Sequence, residues 1–519
     1  MGQPRKYPVD TQTLENIING KYVYIDKTAL VYKLTHDYRY VFLSRPRRFG
    51  KSLLCSTLKE YFRGNKDLFK GLKIDNLEKE WTKYPVISLS FADAKDISVA
   101  GLNELIADML DEHEELFGVE RKGKGNGIRL SNLIKNIYKK TGQKVVVIID
   151  EYDAAMLDTV DNDALQERIR AKQNSFFTPL KKLDEYIRFV FITGITKFSQ
   201  MSIFSALNNL QDISLMPEYE TLCGISMNEF LTQLKPDIQA FANNNGHTYD
   251  ETVECFKKKY DGYHFSHKLQ EVFNPFSVIR ALNDKMLNDY WFSSATPTAL
   301  LKLIRKFDVK IEDFDGIRCN AARFNQPVEK VTDIVPFMFQ AGYLTIKEYD
   351  QRRNIYTLGF PNGEVRTAVA ESLFRYNYRY EDGNVRLLMA YQDFADFDDL
   401  DKFIEALKRF FRKFPFSLNN MNEKHYHSIL YTVLTSYGAD ISANVETALG
   451  KSDLLLRMPK KNYVIELKYD HSTSSALDQI DDRDYRAAIL DESKPVVKLA
   501  IKFSSKERNI VEYEAVEEK

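Results

Sequence analysis

Two stretches of this chain carry residues that handle phosphate and metal, at the spacings such chemistry needs. The first is Tyr40-Val41-Phe42-Leu43-Ser44-Arg45-Pro46-Arg47-Arg48-Phe49-Gly50-Lys51-Ser52-Leu53-Leu54. An apolar run enters a basic loop, then Gly-Lys-Ser, then a helical pattern. Gly50 lets backbone N–H groups approach phosphate oxygens closely, and the helix start adds partial positive charge. Lys51 suits the β- and γ-phosphates, and the Ser52 hydroxyl suits Mg²⁺. The expected nucleotide-binding set is therefore Arg45, Arg47, Arg48, Phe49, Gly50, Lys51, Ser52 and Leu53. One position is irregular: Arg45 stands where the general G-x-x-x-x-G-K-[ST] pattern has glycine.

A second element belongs with this loop. Val145-Val146-Val147-Ile148-Ile149-Asp150-Glu151 is an apolar run tipped with acid. Asp150 at the tip is placed to complete a Mg²⁺ shell, and Glu151 to orient and deprotonate an attacking water. Either motif alone also describes a basic turn or an exposed acidic strand end; their order along one chain favours ATP binding. Thr193, after Phe189-Val190-Phe191-Ile192, stands where a γ-phosphate sensor would, or simply ends a strand.

The second stretch lies near the C-terminus. Asp453, Glu466 and Lys468 are spaced D-x(12)-E-x-K. Side chains alternate along a strand, so Glu466 and Lys468 share a face, and the turn Pro459-Lys460-Lys461-Asn462 can fold Asp453 alongside. Two carboxylates that hold Mg²⁺ beside a lysine suit phosphodiester hydrolysis: the metal lowers the pKa of bound water and the lysine stabilises growing charge. The alternative is an edge-strand charge ladder. Glu423, sharing a helix face with His427 at i and i+4, could extend the metal shell. Glu446 is another candidate neighbour, and Gln479 could touch the water or a nucleic-acid backbone.

These residues need an α/β scaffold. Short runs rich in Val, Ile and Phe at Tyr40–Ser44, Val86–Ser90, Val145–Ile149 and Phe189–Thr193 read as buried central strands of a parallel sheet. A further strand is expected near Thr221–Ile225, before a helix at Met227–Leu234. Residues 236–400 read as a mainly helical lid or winged-helix-like middle region. From 401 the chain reads as an α/β, restriction-endonuclease-like domain. It holds a helix at Met421–Tyr437, strands at Ile441–Thr447, Asp453–Met458 and Tyr463–Lys468, a helix at Ser474–Leu490 and a strand at Val496–Phe503. The first domain is placed at 1–235. The boundary near 400 follows a switch from the acidic Asp393–Asp401 stretch to the basic Lys408–Lys413.

Bulk properties narrow the class. A 519-residue chain with 44% hydrophobic residues has material for several cores. A net charge of −1 excludes a uniformly basic nucleic-acid coat, so polyanion binding must come from local clusters. Residues 39–51 form one, with five basic residues and no carboxylate; residues 121–144, with eight basic residues, read as a solvated loop and helix face. The four cysteines lack C-x-x-C spacing, which argues against a zinc site or disulfide framework. No run approaches the ~20 apolar residues of a membrane span, so a cytoplasmic protein with no membrane partner is expected.

The chain also resembles a family of bacterial proteins that join an AAA-ATPase-like domain to a C-terminal PD-(D/E)XK nuclease superfamily domain. The resemblance rests on Tyr22-Val23-Tyr24-Ile25-Asp26-Lys27-Thr28, Arg45-Pro46-Arg47-Arg48-Phe49-Gly50-Lys51-Ser52, Tyr260-Asp261-Gly262-Tyr263 and Ala476-Leu477-Asp478-Gln479-Ile480. It spans nearly the whole chain and implies that Arg45 is the family's own form of the loop. One departure is Gly450-Lys451, where such proteins have Gly-Arg; lysine cannot make a planar bidentate phosphate contact. The leading expectation is an ATP- and Mg²⁺-dependent nuclease acting on nucleic acid, DNA above RNA, with a homo-oligomer open. The alternative is a nucleotide-dependent switch whose C-terminal module binds nucleic acid or a partner without cutting.

Overall fold

A computed structural model describes residues 5–94, 98–197, 209–291, 298–307, 309–327, 333–378, 385–413, 422–446, 451–482 and 494–518. The chain forms two compact units: residues 1–308 with 316–364, and residues 309–315 with 365–519.

The first unit is built on five parallel strands: β1 Tyr40–Ser44, β2 Val86–Ser90, β3 Val145–Asp150, β4 Ile187–Gly194 and β5 Gln211–Asp212. Their order is β2-β3-β4-β1-β5. Every β1 residue is buried, as are the first five of β3, which is why these runs show no polar alternation. β1 and β3 both flank β4, so the basic loop after β1 and the acidic tip of β3 leave the same sheet edge. The fifth strand is Gln211–Asp212, not the apolar run expected at Thr221–Ile225. Ile225–Ser226 (β6) instead pairs with Val272–Phe273 (β7) in a separate two-stranded sheet. Ile225 from the end of that run is drawn into another core, with Phe230, Phe256 and Phe273. The helix expected after it is present at Met227–Gln233, opened by a Ser226–Glu229 capping box. Further along, Ile317–Cys319 (β8), Thr345–Asp350 (β9) and Ile355–Gly359 (β10) form a three-stranded antiparallel sheet amid the helices of the middle region.

The second unit carries a mixed sheet of β11 Asp440–Glu446, β12 Lys451–Arg457, β13 Asn462–Tyr469, β14 Val496–Ser504 and β15 Asn509–Glu518, in sequence order. β13 and β14 are parallel and the other pairs antiparallel. The helix Glu423–Ser436 packs on this sheet, and ten consecutive residues of it, Tyr426–Thr435, are buried. The helix Thr473–Asp482 crosses from β13 towards β14; the rest of the span expected to 490 lies outside the described residues. β15 was not anticipated. Its Glu512, Glu514 and Glu517 disguise it as a polar tail, whereas it is the sheet's charged edge.

Candidate functional site

At the edge shared by β1 and β3, the loop 45–50 turns into the helix Lys51–Phe62. Gly50 caps it at φ 87°, a left-handed conformation that glycine adopts without strain. Arg48 (φ 68°) and Glu151 (φ 51°) hold the same region of backbone space at a cost, one on each motif. Among the described residues no side chain caps the helix start and no acid sits in its first turn, so its leading N–H groups and dipole are left for an anion to satisfy.

Lys51 is buried, and its Nζ donates to the Arg45 and Pro46 carbonyls at 3.0 and 2.9 Å. Burial lowers its pKa, while Asp150, Glu151 and Asp153 pull the other way. Burial likewise raises Asp150, against a hydrogen bond from Ser52 and the charge of Lys51. Ser52, Lys51 and Asp150 are therefore brought together as expected. Glu151 follows at the strand tip, its N–H on the Asp150 carboxylate at 2.9 Å.

Arg45 is placed inside the fold. It is 1% exposed, stacks over Phe265 at 4.1 Å, and donates to the carbonyls of Ser44, Ser214 and Tyr219. It braces the loop against the segment after β5, and burial lowers its pKa to about 10. Arg47 and Arg48 remain exposed. Arg280, from the helix Pro275–Asp284, joins them: Arg48 and Arg280 lie over the Phe276 ring at 4.3 and 5.6 Å. Burial and then the charges of Arg280 and Arg47 depress the Arg48 pKa. None of the three forms an ion pair among the described residues. Arg280 lies far from the loop in sequence, so no spacing could have announced it.

Phe49 is buried against Tyr263 and Phe265, with ring centroids 4.8 and 5.4 Å away. With Gly50 and Leu53 it lines a cavity of about 460 Å³, completed by Val9, Ile225 and Ile279. That is the size of a small-molecule site, with apolar walls beside the uncapped helix start. The segment Pro8–Gln12 contributes to it although it carries no motif.

Thr193 is fully buried and its Oγ1 donates to the Leu43 carbonyl at 2.7 Å, joining β4 to β1. Asp153, which sequence reasoning left without a role, is buried and accepts from the N–H groups of Ile195 and Thr196 and from the Thr196 hydroxyl. It clamps the ends of β3 and β4 together, and a Cβ on Gly194 would lie 2.3 Å from its carboxylate. The basic stretch 121–144 is partly neutralised: buried Arg129 pairs with Asp111 and Glu114, each at 2.6 Å.

In the second unit, Leu454 pairs with Ile465, so the next step along the hairpin sets Asp453 across from Glu466. The Leu467 N–H donates to Asp453 Oδ2 at 2.8 Å. Lys468 Nζ lies 3.2 Å from Glu466 Oε1 and 2.6 Å from Gln479 Oε1, and Gln479 also donates to Glu466. The four expected side chains thus converge. Glu466 is 2% exposed, and its Oε2 has no hydrogen-bond partner among the described residues. Burial and then the Asp453 charge raise its pKa well above the carboxylate range, against Lys468. A buried carboxylate oxygen left over beside a second carboxylate fits a divalent cation.

Glu423 does not complete a third corner. Its carboxylate accepts from the Tyr469 N–H at 3.2 Å, and no group of three or more His, Cys, Asp or Glu side chains with metal-holding geometry occurs among the described residues. His427, one turn on, has its Nε2 2.9 Å from the Asp453 carbonyl and its Nδ1 3.6 Å from Glu312. Burial lowers the His427 pKa, but Glu312 and the Asp453 backbone outweigh it and the net shift is upward. The Glu446 side chain and Gly450 lie outside the described residues; Lys451 opens β12, exposed.

Comparison with known proteins agrees with this geometry. The family model described as "Predicted AAA-ATPase" matches residues 8–204, and that of the PD-(D/E)XK nuclease superfamily matches 421–513. The "Uncharacterized protein in vnfD 5'region" of Azotobacter chroococcum mcd 1 is 30% identical over 529 residues, covering 98% of each chain. The chain belongs to this family. It therefore carries an AAA-ATPase-like domain around the loop 45–52 and a PD-(D/E)XK domain around Asp453, Glu466 and Lys468. Among solved structures, the Aeropyrum pernix ORC1 protein in complex with DNA aligns over 93% of this chain and 100% of that one. The two are 10% identical, with a TM-score of 0.23. No helix among the described residues is long and apolar enough to cross a membrane.

Proposed function

We propose that this protein binds and hydrolyses ATP at the AAA-ATPase-like domain and cleaves nucleic acid, DNA in preference to RNA, at the PD-(D/E)XK domain. Its working parts are residues 1–235, 236–400 and 401–519. The observation that carries the nuclease reading is the convergence of Asp453, Glu466, Lys468 and Gln479 on one face of the β12–β13 hairpin, with the Glu466 Oε2 left over.

Asp453 and Glu466 would hold Mg²⁺, which supplies an activated water and neutralises phosphate charge. Lys468 stands next to that position and stabilises negative charge building on the scissile phosphate. Gln479 holds Lys468 in place, fixing its rotamer before substrate arrives. In the other domain, Ser52 and Asp150 would hold the nucleotide's Mg²⁺, which would neutralise phosphate charge. Lys51 exchanges its loop carbonyls for phosphate oxygens, Arg47, Arg48 and Arg280 oppose their charge, and Glu151 takes the proton of the attacking water. The cavity floored by Phe49 and Leu53 takes the base and ribose.

The alternative, a nucleotide-dependent switch that binds nucleic acid without cutting, is favoured by one observation: Glu423 is spent on the Tyr469 backbone, leaving two carboxylates. One experiment separates the readings. Purified protein is incubated with plasmid, single-stranded DNA and RNA, with Mg²⁺, with and without ATP. Cleavage that Asp453→Ala abolishes supports the enzyme; retention of nucleic acid without cleavage under every condition selects the switch.

A further inference from the structure

We propose that Glu312 is a positioning residue for the cleavage site, holding the Asp453 backbone in place through His427. The inference rests on the reading of Asp453 as a metal ligand.

The first observation is an interruption in the sheet. β12 pairs with β13 from Leu454 to Arg457, so the ladder stops one residue short of Asp453. On its other side β12 pairs with β11 at Leu454 and Ser452 but not at Asp453. The residue opposite is Asn444, whose φ of 53° breaks the extended run. At Asp453 side chains take over from the ladder, and the Glu466 carboxylate across the hairpin accepts from its N–H. What holds its carbonyl is His427 Nε2, 2.9 Å away, from the helix Glu423–Ser436.

A histidine ring donates usefully only if its own orientation is fixed. Its Nδ1 faces Glu312 Oε1 at 3.6 Å, and the next residue, Ser428, donates its hydroxyl to the same oxygen. The Glu312 side chain is 4% exposed, and its second oxygen is buried without a partner among the described residues. A carboxylate this deeply buried is costly unless it serves the groups around it. The segment that delivers it is short. Residues 309–315 belong to the second unit, while the chain before and after them belongs to the first. Buried Ile311 and Phe314 anchor the turn Ile311–Phe314 on either side of Glu312. The chain thus makes a seven-residue excursion that ends on the ring supporting Asp453.

The chain of contacts, Glu312 to His427 to the Asp453 carbonyl, together with Leu467 N–H on the Asp453 carboxylate, fixes that residue at backbone and side chain alike. Glu312 touches neither metal nor substrate. It sets the aim of a residue that does, as outer partners of metal ligands do.

The test is a nucleotide-free Mn²⁺ titration of the full chain by electron paramagnetic resonance, alongside cleavage and ATPase kinetics. Glu312→Ala should weaken the Mn²⁺ site by roughly 10–100-fold, the range for lost outer partners. It should lower kcat for cleavage while KM for DNA and the ATPase rate hold. Glu312→Gln, which keeps an acceptor oxygen, should recover most of the loss. Mn²⁺ binding equal to the parent's in Glu312→Ala overturns the proposal. If that variant does not fold, His427→Leu decides: unchanged Mn²⁺ affinity there overturns it equally. A parent that shows no Mn²⁺ site sensitive to Asp453→Ala removes the metal reading and this inference together. A site lost in Asp453→Ala but intact in Glu312→Ala removes only the positioning role.

Discussion

The two candidate sites are electrostatic opposites. Around the loop 45–50, Arg47, Arg48 and Arg280 crowd together with no ion pair among the described residues, and repulsion from the other two adds to burial in depressing the Arg48 pKa, against the charge of Glu151. On the β12–β13 hairpin, Asp453 and Glu466 face each other, and burial with mutual repulsion raises Glu466. The first arrangement is relieved by an anion and the second by a cation. The lysines differ to match. Lys51 rests on its own loop's carbonyls, neutral groups that an incoming phosphate can replace. Lys468 is tied to Glu466 and Gln479 and already offsets part of the negative charge that a metal would meet. Under the proposed function each site is a charge conflict that a ligand would resolve, and opposite perturbations should separate them.

The largest expected effect is at the hairpin. Asp453→Ala or Glu466→Ala should reduce cleavage by about 10³-fold or more, and Lys468→Ala by about 10²-fold, as when a group at the reacting centre is lost. ATP hydrolysis, measured on the same preparations, should be unchanged in all three. A fall in ATPase rate that tracks the fall in cleavage would break the comparison, because the two centres would then be acting as one.

Next comes the phosphate loop. Lys51→Ala should weaken ATP binding by about 10–100-fold, the scale of a charged hydrogen bond. Glu151→Gln should preserve binding and abolish hydrolysis, since only the proton acceptor is lost. Arg280→Ala should cost roughly 10-fold in ATP affinity, less at high salt, because Arg47 and Arg48 still oppose the phosphates. Calorimetric ATP titrations measure all three. An Arg280→Ala protein that binds ATP like its parent would mean that the cationic cluster serves another anion.

How far the sequence could lead also differs between the sites. On the hairpin, strand alternation forces Glu466 and Lys468 to one face, and a short turn brings Asp453 beside them, so local geometry defines the group. Gln479 was within reach because the following helix packs directly on β13 and β14. Glu312 was not: it arrives from a segment more than a hundred positions before His427 and carries no motif. The phosphate loop shows the same limit. Lys51, Ser52 and Asp150 follow from strand-tip logic, whereas Arg280 and the Pro8–Gln12 wall of the cavity meet the loop only through tertiary folding. Arg45 shows the limit in another form. A basic residue in a phosphate loop invites a ligand role, and only the fold shows that its two terminal guanidinium nitrogens donate to three backbone carbonyls.

A gentler contrast comes from pH. Glu466 is held well above the ordinary carboxylate range, so protons compete with the cation for it as pH falls through neutrality. The Mg²⁺ concentration that half-saturates cleavage should therefore rise on going from about pH 8 to about pH 6, each metal bound displacing a proton. Nucleotide affinity should change little over that interval, because the arginines stay charged throughout. Cleavage measured against Mg²⁺ at both values, with ATP titrations at the same two, tests the asymmetry. A Mg²⁺ requirement that does not move with pH would place the metal away from Glu466.

The smallest expected effect concerns Thr193, the one residue for which a sensing role and a purely structural role make opposite forecasts. Its hydroxyl is fully buried and donates to the Leu43 carbonyl across the β4–β1 boundary. Thr193→Val keeps the β-branched shape and removes only the hydroxyl, leaving a buried carbonyl short of one donor. The loss should be about 1 kcal/mol of stability, typical of a single neutral hydrogen bond. If that bond is the whole role, ATP affinity and hydrolysis rate should stay within about twofold of the parent's, since none of the charges at the strand tips has changed. If the hydroxyl turns to the γ-phosphate or the attacking water once nucleotide binds, hydrolysis should instead fall by about 10-fold or more, with little loss of stability. Chemical denaturation and steady-state ATPase on one preparation read both quantities. The geometry favours the first outcome, because reaching a phosphate would require Thr193 to give up a buried 2.7 Å bond one residue before the end of the β4–β1 pairing.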